Sequence, residues 1–179
     1  MNDYISFLCT LLSIKIPKVY FKENGKVYDL KNKPVNKEFF QVKDTSICTS
    51  YPKENVICVN LDLCKDRSLV YIYLAHEIRH LYQYACVYKK NQKVFSIDER
   101  SVSIWKKELE NYADSSRKHY ENQEIEKDAN LFANFYYSIC FTINSFRMFS
   151  SSFKFGINKM TFFEFFFIFL NLFFFFFFF

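Results

Sequence analysis

Apolar residues recur at helical spacing at the start of the chain. Tyr4, Ile5, Leu8, Leu11 and Leu12 fit one face of a short amphipathic helix over residues 3–14, which Pro17 should end. The period then shortens. Lys18–Phe21 and Lys26–Leu30 are β-prone runs on either side of Asn24-Gly25, a pair that accepts the positive φ angles of a two-residue hairpin turn. Residues 31–44 are polar and include Pro34, so a loop with at most a turn of helix is expected. A second pair of strands, Ser46–Tyr51 and Val56–Leu61, flanks Pro52-Lys53-Glu54-Asn55. In Val56–Leu61 both alternating faces are partly apolar, which suits a central strand.

Helical periodicity returns after the polar connector 62–67, where Asp66 or Ser68 can cap a helix. Leu69–Tyr88 holds neither Gly nor Pro, and its apolar residues fit a long buried helix whose C-terminus Lys89-Lys90 complement. A second helix is expected over Ile97–Tyr112, with Ile104, Trp105, Leu109 and Tyr112 at helical spacing. This makes Trp105 a core residue rather than a ligand platform. The stretch 113–122 is polar. A last helix is predicted over Asn122–Cys140, with Ile125, Ala129, Phe132, Ala133 and Tyr136 on one face. There is no internal repeat. The order of elements predicts an α+β domain spanning residues 1–140, with a small mixed β-sheet and helices beside it.

The pattern then gives way. Of 25 phenylalanines, 18 lie in the last 39 residues, and Phe173–Phe179 is unbroken. Residues 141–179 therefore form a separate Phe-rich, low-complexity tail. Three readings apply to it: a degenerate or artefactual gene end, a membrane anchor, or a packed helix. The segment 162–179 is 18 residues long, the minimum for a membrane-spanning helix, with Glu164 and Asn171 as interruptions. Lys154 and Lys159 upstream would keep the body on the cytoplasmic side.

Charge and cysteines narrow the partners. A formal net charge of +5 with scattered lysines gives no basic stripe, so no nucleic-acid partner is expected. The six cysteines contain no CxxC pair, and Met1–Tyr4 lacks the positive segment of a secretory leader. Reduced thiols packed as small apolar residues are expected, in a cytoplasmic protein that is membrane-attached only if residues 162–179 form an anchor.

The candidate chemistry sits in the long helix. His76-Glu77-Ile78-Arg79-His80 has the HExxH form. Residues four apart share a helix face, so the two imidazoles can hold one Zn2+ ion. Glu77, about 100° round from His76, is placed to act as general base on a metal-activated water. Only three histidines occur in the chain, and two are in this motif. Catalytic zinc needs a third protein ligand. Glu126 and Asp128 each lie about 80° from the centre of the apolar stripe of the last helix, and spacing does not separate them. Tyr112, His119 and Tyr120, between the two helices, are candidates for oxyanion or substrate contacts, although His119 in its polar run also reads as a surface residue. Arg79 is expected to reach a carboxylate or solvent on the outer side of its helix. Gln83 and Tyr84, a turn beyond His80, read equally as cleft residues or as ordinary packing.

Ala75-His76-Glu77-Ile78-Arg79-His80, followed by Glu126-Lys127-Asp128-Ala129-Asn130-Leu131-Phe132-Ala133, resembles the ImmA/IrrE-type zinc metallopeptidases and related phage or mobile-element proteins. The strand Asn55–Asn60 ahead of the motif helix is similar too, so the likeness covers about residues 45–137. It implies a zincin-like mixed sheet packed on an HExxH active helix and a second, ligand-bearing helix. It implies that Glu126 is the third ligand, with Asp128 as neighbour or substitute. It implies a peptidase with a narrow regulatory substrate, such as a repressor. The chain departs from the family in having Arg79 where a Gly is usual, and Tyr136-Tyr137-Ser138 in place of an aliphatic-Pro ending. The competing reading is a non-catalytic membrane-tethered or interaction protein whose zinc site is structural.

Overall fold

Asn24 and Gly25 take φ angles of 49° and 68° and close a hairpin between β1 (Lys18–Glu23) and β2 (Lys26–Asp29). Their amides donate to the Asp62 carboxylate, at 2.7 Å from Asn24 and 3.4 Å from Gly25. In this computed structural model the described residues are 1–35, 45–89, 97–112 and 120–152. The chain divides into two units, Met1–Cys140 and Phe141–Phe179. Of the second, only helical backbone over residues 141–152 is described. The tail segment 162–179 and most of the predicted 31–44 loop lie outside the described residues.

The first unit is α+β. β3 (Cys48–Tyr51) and β4 (Val56–Asn60) pair antiparallel, β1 joins β4 in parallel, and the order is β2-β1-β4-β3. The sheet is therefore mixed, as expected, and β3 forms one edge. All five residues of β4 are buried, which accounts for the apolar character of both its faces. Ile57 and Val59 join a core with Ile5 and Leu8 of α1 (Asn2–Leu11), and with Leu74, Ile78 and Tyr82 of α2 (Val70–Tyr88). Trp105 of α3 (Glu99–Glu110) and Ile125 and Ala133 of α4 (Glu124–Ser152) complete it. Cys9, Cys48, Cys58 and Cys64 are buried, and all six cysteines are free.

Several boundaries differ from expectation. α1 ends at Leu11, well before Pro17, because Ser13 adopts a left-handed φ of 53°. Its N–H bonds to Thr10 O and that of Ile14 to Cys9 O, the paired closure that satisfies the last carbonyls of a helix. The strands are shorter or longer by one or two residues at their ends. α4 continues to Ser152 instead of stopping at Cys140. No Gly or Pro occurs between Pro52 and Gly156, so the change in composition brings no backbone breaker with it. Among the described residues, no helix is long and apolar enough to cross a membrane.

Candidate metal centre

α2 begins with a 3-10 turn, Arg67–Leu69, capped by Asp66, whose carboxylate accepts from Ser68 N at 2.9 Å. Leu74, Ala75, Ile78 and Leu81 then seat the helix on the core. This burial fixes the rotation of α2 and turns His76 and His80 toward the first turn of α4. That turn is itself held by α3. Glu108 accepts from Glu124 N at 3.0 Å and Ile125 N at 2.8 Å, satisfying two free amides at the start of α4.

Glu126 arrives between the two rings. His76 Nε2 and His80 Nε2 are 2.9 Å apart. Glu126 Oε2 lies 3.4 Å from His76 Nε2, and Oε1 lies 3.3 Å from His80 Nε2. One donor atom from each residue falls within 4.8 Å of the others, so the trio can hold a metal ion. Glu126 is fully buried and its Oε2 makes no well-formed hydrogen bond. Tyr112 Oη donates to Oε1 at 2.5 Å.

The charges are interdependent. Burial pushes the Glu126 carboxyl up, but His76, His80 and Tyr112 outweigh this and hold it well below the usual carboxylate range. Burial likewise opposes charge on His80, yet Glu126, Glu77 and Gln83 together raise its pKa above the ordinary 6.5. Burial, reinforced by the Glu126 carboxylate, raises both Tyr112 and Tyr120, so their hydroxyls keep their protons.

Asp128, the other acidic candidate, is engaged elsewhere. Arg79 grips it with both arms of the guanidinium, Nε to Oδ2 at 2.7 Å and Nη2 to Oδ1 at 2.9 Å. The Arg79 side chain is only 15% exposed, and its guanidinium lies over the rings of Tyr82, Phe132 and Trp105. Arg79 thus reaches a carboxylate, one of its expected partners, but not on an outer side of the helix: it lies between α2, α3 and α4. A helix packed on two others has less outer surface than its sequence alone implies. Trp105 is buried, as its spacing predicts.

Glu77 points toward the sheet. Ser50 N, on the edge strand β3, donates to Glu77 Oε2 at 2.8 Å. Glu77 and His80 line a cleft of about 450 Å³ whose walls include Cys48–Glu54, Tyr84, Leu109, Tyr112 and Tyr120. The Tyr112 and Tyr120 rings meet edge to face, with centroids 6.2 Å apart. His119 lies outside the described residues. The β3 amide that holds Glu77 was not foreseen, because strand register is invisible before the sheet is assembled.

Compared with protein-family models, curated proteins and solved structures, the chain finds no match. The chemistry of the site therefore rests on its own geometry.

Proposed function

We propose that this chain is a zinc-dependent peptidase of zincin type. The observation that carries the proposal is the His76, His80, Glu126 triad: the two Nε2 atoms are 2.9 Å apart, and each has its own Glu126 oxygen at 3.3 or 3.4 Å. Ligand bonds of about 2.0–2.2 Å in a tetrahedron give edges of about 3.3–3.6 Å, which the imidazole pair at 2.9 Å would reach by parting a few tenths of an ångström. The residues present thus fit the ion in both spacing and type, and two imidazoles with a carboxylate are the donor set of one class of catalytic zinc. A buried carboxylate oxygen with no well-formed hydrogen bond supports the same reading, since its neighbour at 3.4 Å is the ring nitrogen of another proposed ligand.

When bound, zinc supplies a Lewis acid that polarises a carbonyl and lowers the pKa of water. The remaining functions fall to side chains. Glu77, oriented by the Ser50 amide at the cleft wall, takes a proton from the attacking water and passes it to the departing amine. Tyr112 and Tyr120 both line the cleft and keep their protons beside Glu126; Tyr112 is held on Glu126 Oε1 at 2.5 Å, so the task of donating to the developing oxyanion is assigned to Tyr120. The cleft and a donor group that, among the described residues, has three members favour this over a structural zinc site, which normally has four protein ligands. The likeness of the AHExxH and EKDANLFA segments to ImmA/IrrE-type metallopeptidases supports a narrow regulatory substrate, such as a repressor protein.

The test is metal analysis of the purified chain beside cleavage of a degenerate peptide library read by mass spectrometry. One zinc per chain is expected, lost in His80→Ala and in Glu126→Ala. Glu77→Gln should keep the ion and cleave nothing. Zinc retained by both ligand variants, or cleavage undiminished in Glu77→Gln, would overturn the proposal.

A further inference from the structure

Behind His80 lies a chain of polar contacts that the peptidase mechanism does not use. It starts at the two-armed Arg79–Asp128 ion pair, which joins α2 to α4. Gln83 Nε2 donates to Asp128 Oδ2 at 2.6 Å and to Ile125 O at 2.9 Å. Gln83 Oε1 then faces His80 Nδ1 at 2.8 Å. Gln83 is fully buried, so each of these contacts replaces one with water.

The direction of the whole chain follows from donor and acceptor chemistry. Asp128 Oδ2 and Ile125 O can only accept, so the amide nitrogen of Gln83 must face them. The reverse orientation would set an amide oxygen against two acceptors. An amide oxygen can only accept, so the Nδ1 beside it carries the hydrogen. In the neutral ring the other nitrogen, Nε2, is then bare, and it is the atom 3.3 Å from Glu126 Oε1.

We infer that Arg79, Asp128 and Gln83 act as positioning residues that hold His80 in its Nδ1–H tautomer, with Nε2 presented to the metal before any ion arrives. The inference rests on the reading of His80 as a metal ligand, and it assigns Asp128 a part in the centre without ligation. It also gives Arg79 its purpose: a guanidinium in the middle of HExxH tethers the ligand-bearing helix. Outer partners of this kind change metal affinity by roughly 10–100-fold when removed.

The experiment uses the full chain labelled with nitrogen-15 and reads the imidazole tautomers by long-range proton–nitrogen NMR. It is done without metal and then with one equivalent of zinc, and zinc affinity is measured by competition with a chelator. In the metal-free wild type, at a pH above the raised pKa of His80, the neutral ring should be in the Nδ1–H form. Gln83→Met, similar in volume but without the acceptor, should lose that preference and bind zinc roughly 10–100-fold more weakly. Asp128→Asn, which removes the Arg79 ion pair and leaves Gln83 in place, should shift both readouts the same way by a smaller amount. It decides the matter should Gln83→Met not fold. A role in packing alone would lower the melting temperature of the variants while leaving tautomer and affinity as in wild type, and that result overturns the inference. If the wild type binds no zinc, the peptidase proposal fails on its own, while the tautomer of the metal-free chain still decides this one.

Discussion

A carboxylate buried as completely as Glu126 stays ionised only where donors or cations surround it, and here two imidazoles and a phenol do so. The phenol separates two tyrosines whose positions in sequence look equivalent. Tyr112 bonds the Glu126 carboxylate at 2.5 Å, and Tyr120, which also feels that carboxylate, shares the cleft wall with it. Tyr112→Phe should therefore weaken zinc binding. Tyr120→Phe should leave zinc in place and reduce kcat by about 100-fold or more, as removal of an oxyanion donor does. Zinc titration and library cleavage on both variants would show the split. Equal effects on both properties would mean the two hydroxyls share one role. At this scale much of the centre was legible: HExxH placed three residues, and an acidic, apolar-faced helix narrowed the fourth to two. Glu126 and Asp128 stayed inseparable because both flank the same stripe. The cue that parts them was already in the sequence, since Arg79, beside a helix face destined for burial, needs a counter-charge, and Asp128 supplies it.

Helix ends decide where these side chains lie, and the most consequential is the start of α4. Its first turn carries Glu126, and its first free amides are met by Glu108 from α3. A negative group here also complements the helix dipole. Glu108→Ala should lower stability by about 1 kcal/mol, the usual cost of losing a helix-terminal cap. Because the frayed turn bears the proposed ligand Glu126, zinc affinity should fall too, although Glu108 makes no contact with the triad. Denaturant unfolding with and without zinc would measure both effects, and a stability loss with unchanged affinity would show the first turn to be held by packing alone. The elements themselves were largely readable, from the Asn24-Gly25 hairpin to the central β4. What was not readable depended on assembly. The parallel pairing of β1 with β4 brings together segments some 40 residues apart. The amide of Ser50 becomes a partner for Glu77 only once β3 is the edge beside α2.

For the molecule as a whole, the proposed site would set proton and metal in competition for the same nitrogen, and the two forms should respond to pH in opposite directions. The pKa of His80 in the metal-free fold is raised above its ordinary 6.5. Its contribution to metal-free stability is then fully present below about 6.5, the unfolded value, and fades as pH rises through the folded one. Zinc needs the ring neutral, so the stabilisation it adds is complete above that folded pKa and fades as pH falls through it. Glu126, held well below the carboxylate range, keeps its charge throughout this window and contributes nothing to the trend. At a free zinc concentration about 100 times the dissociation constant, the added stability should be about 2.7 kcal/mol. Melting curves at pH 6 and pH 8, with zinc and with chelator, should thus show a gap that widens as pH rises. In His80→Ala the gap should be close to zero at both values. A gap independent of pH would mean the ion is held by groups other than these imidazoles, and one surviving in His80→Ala would place it outside the triad.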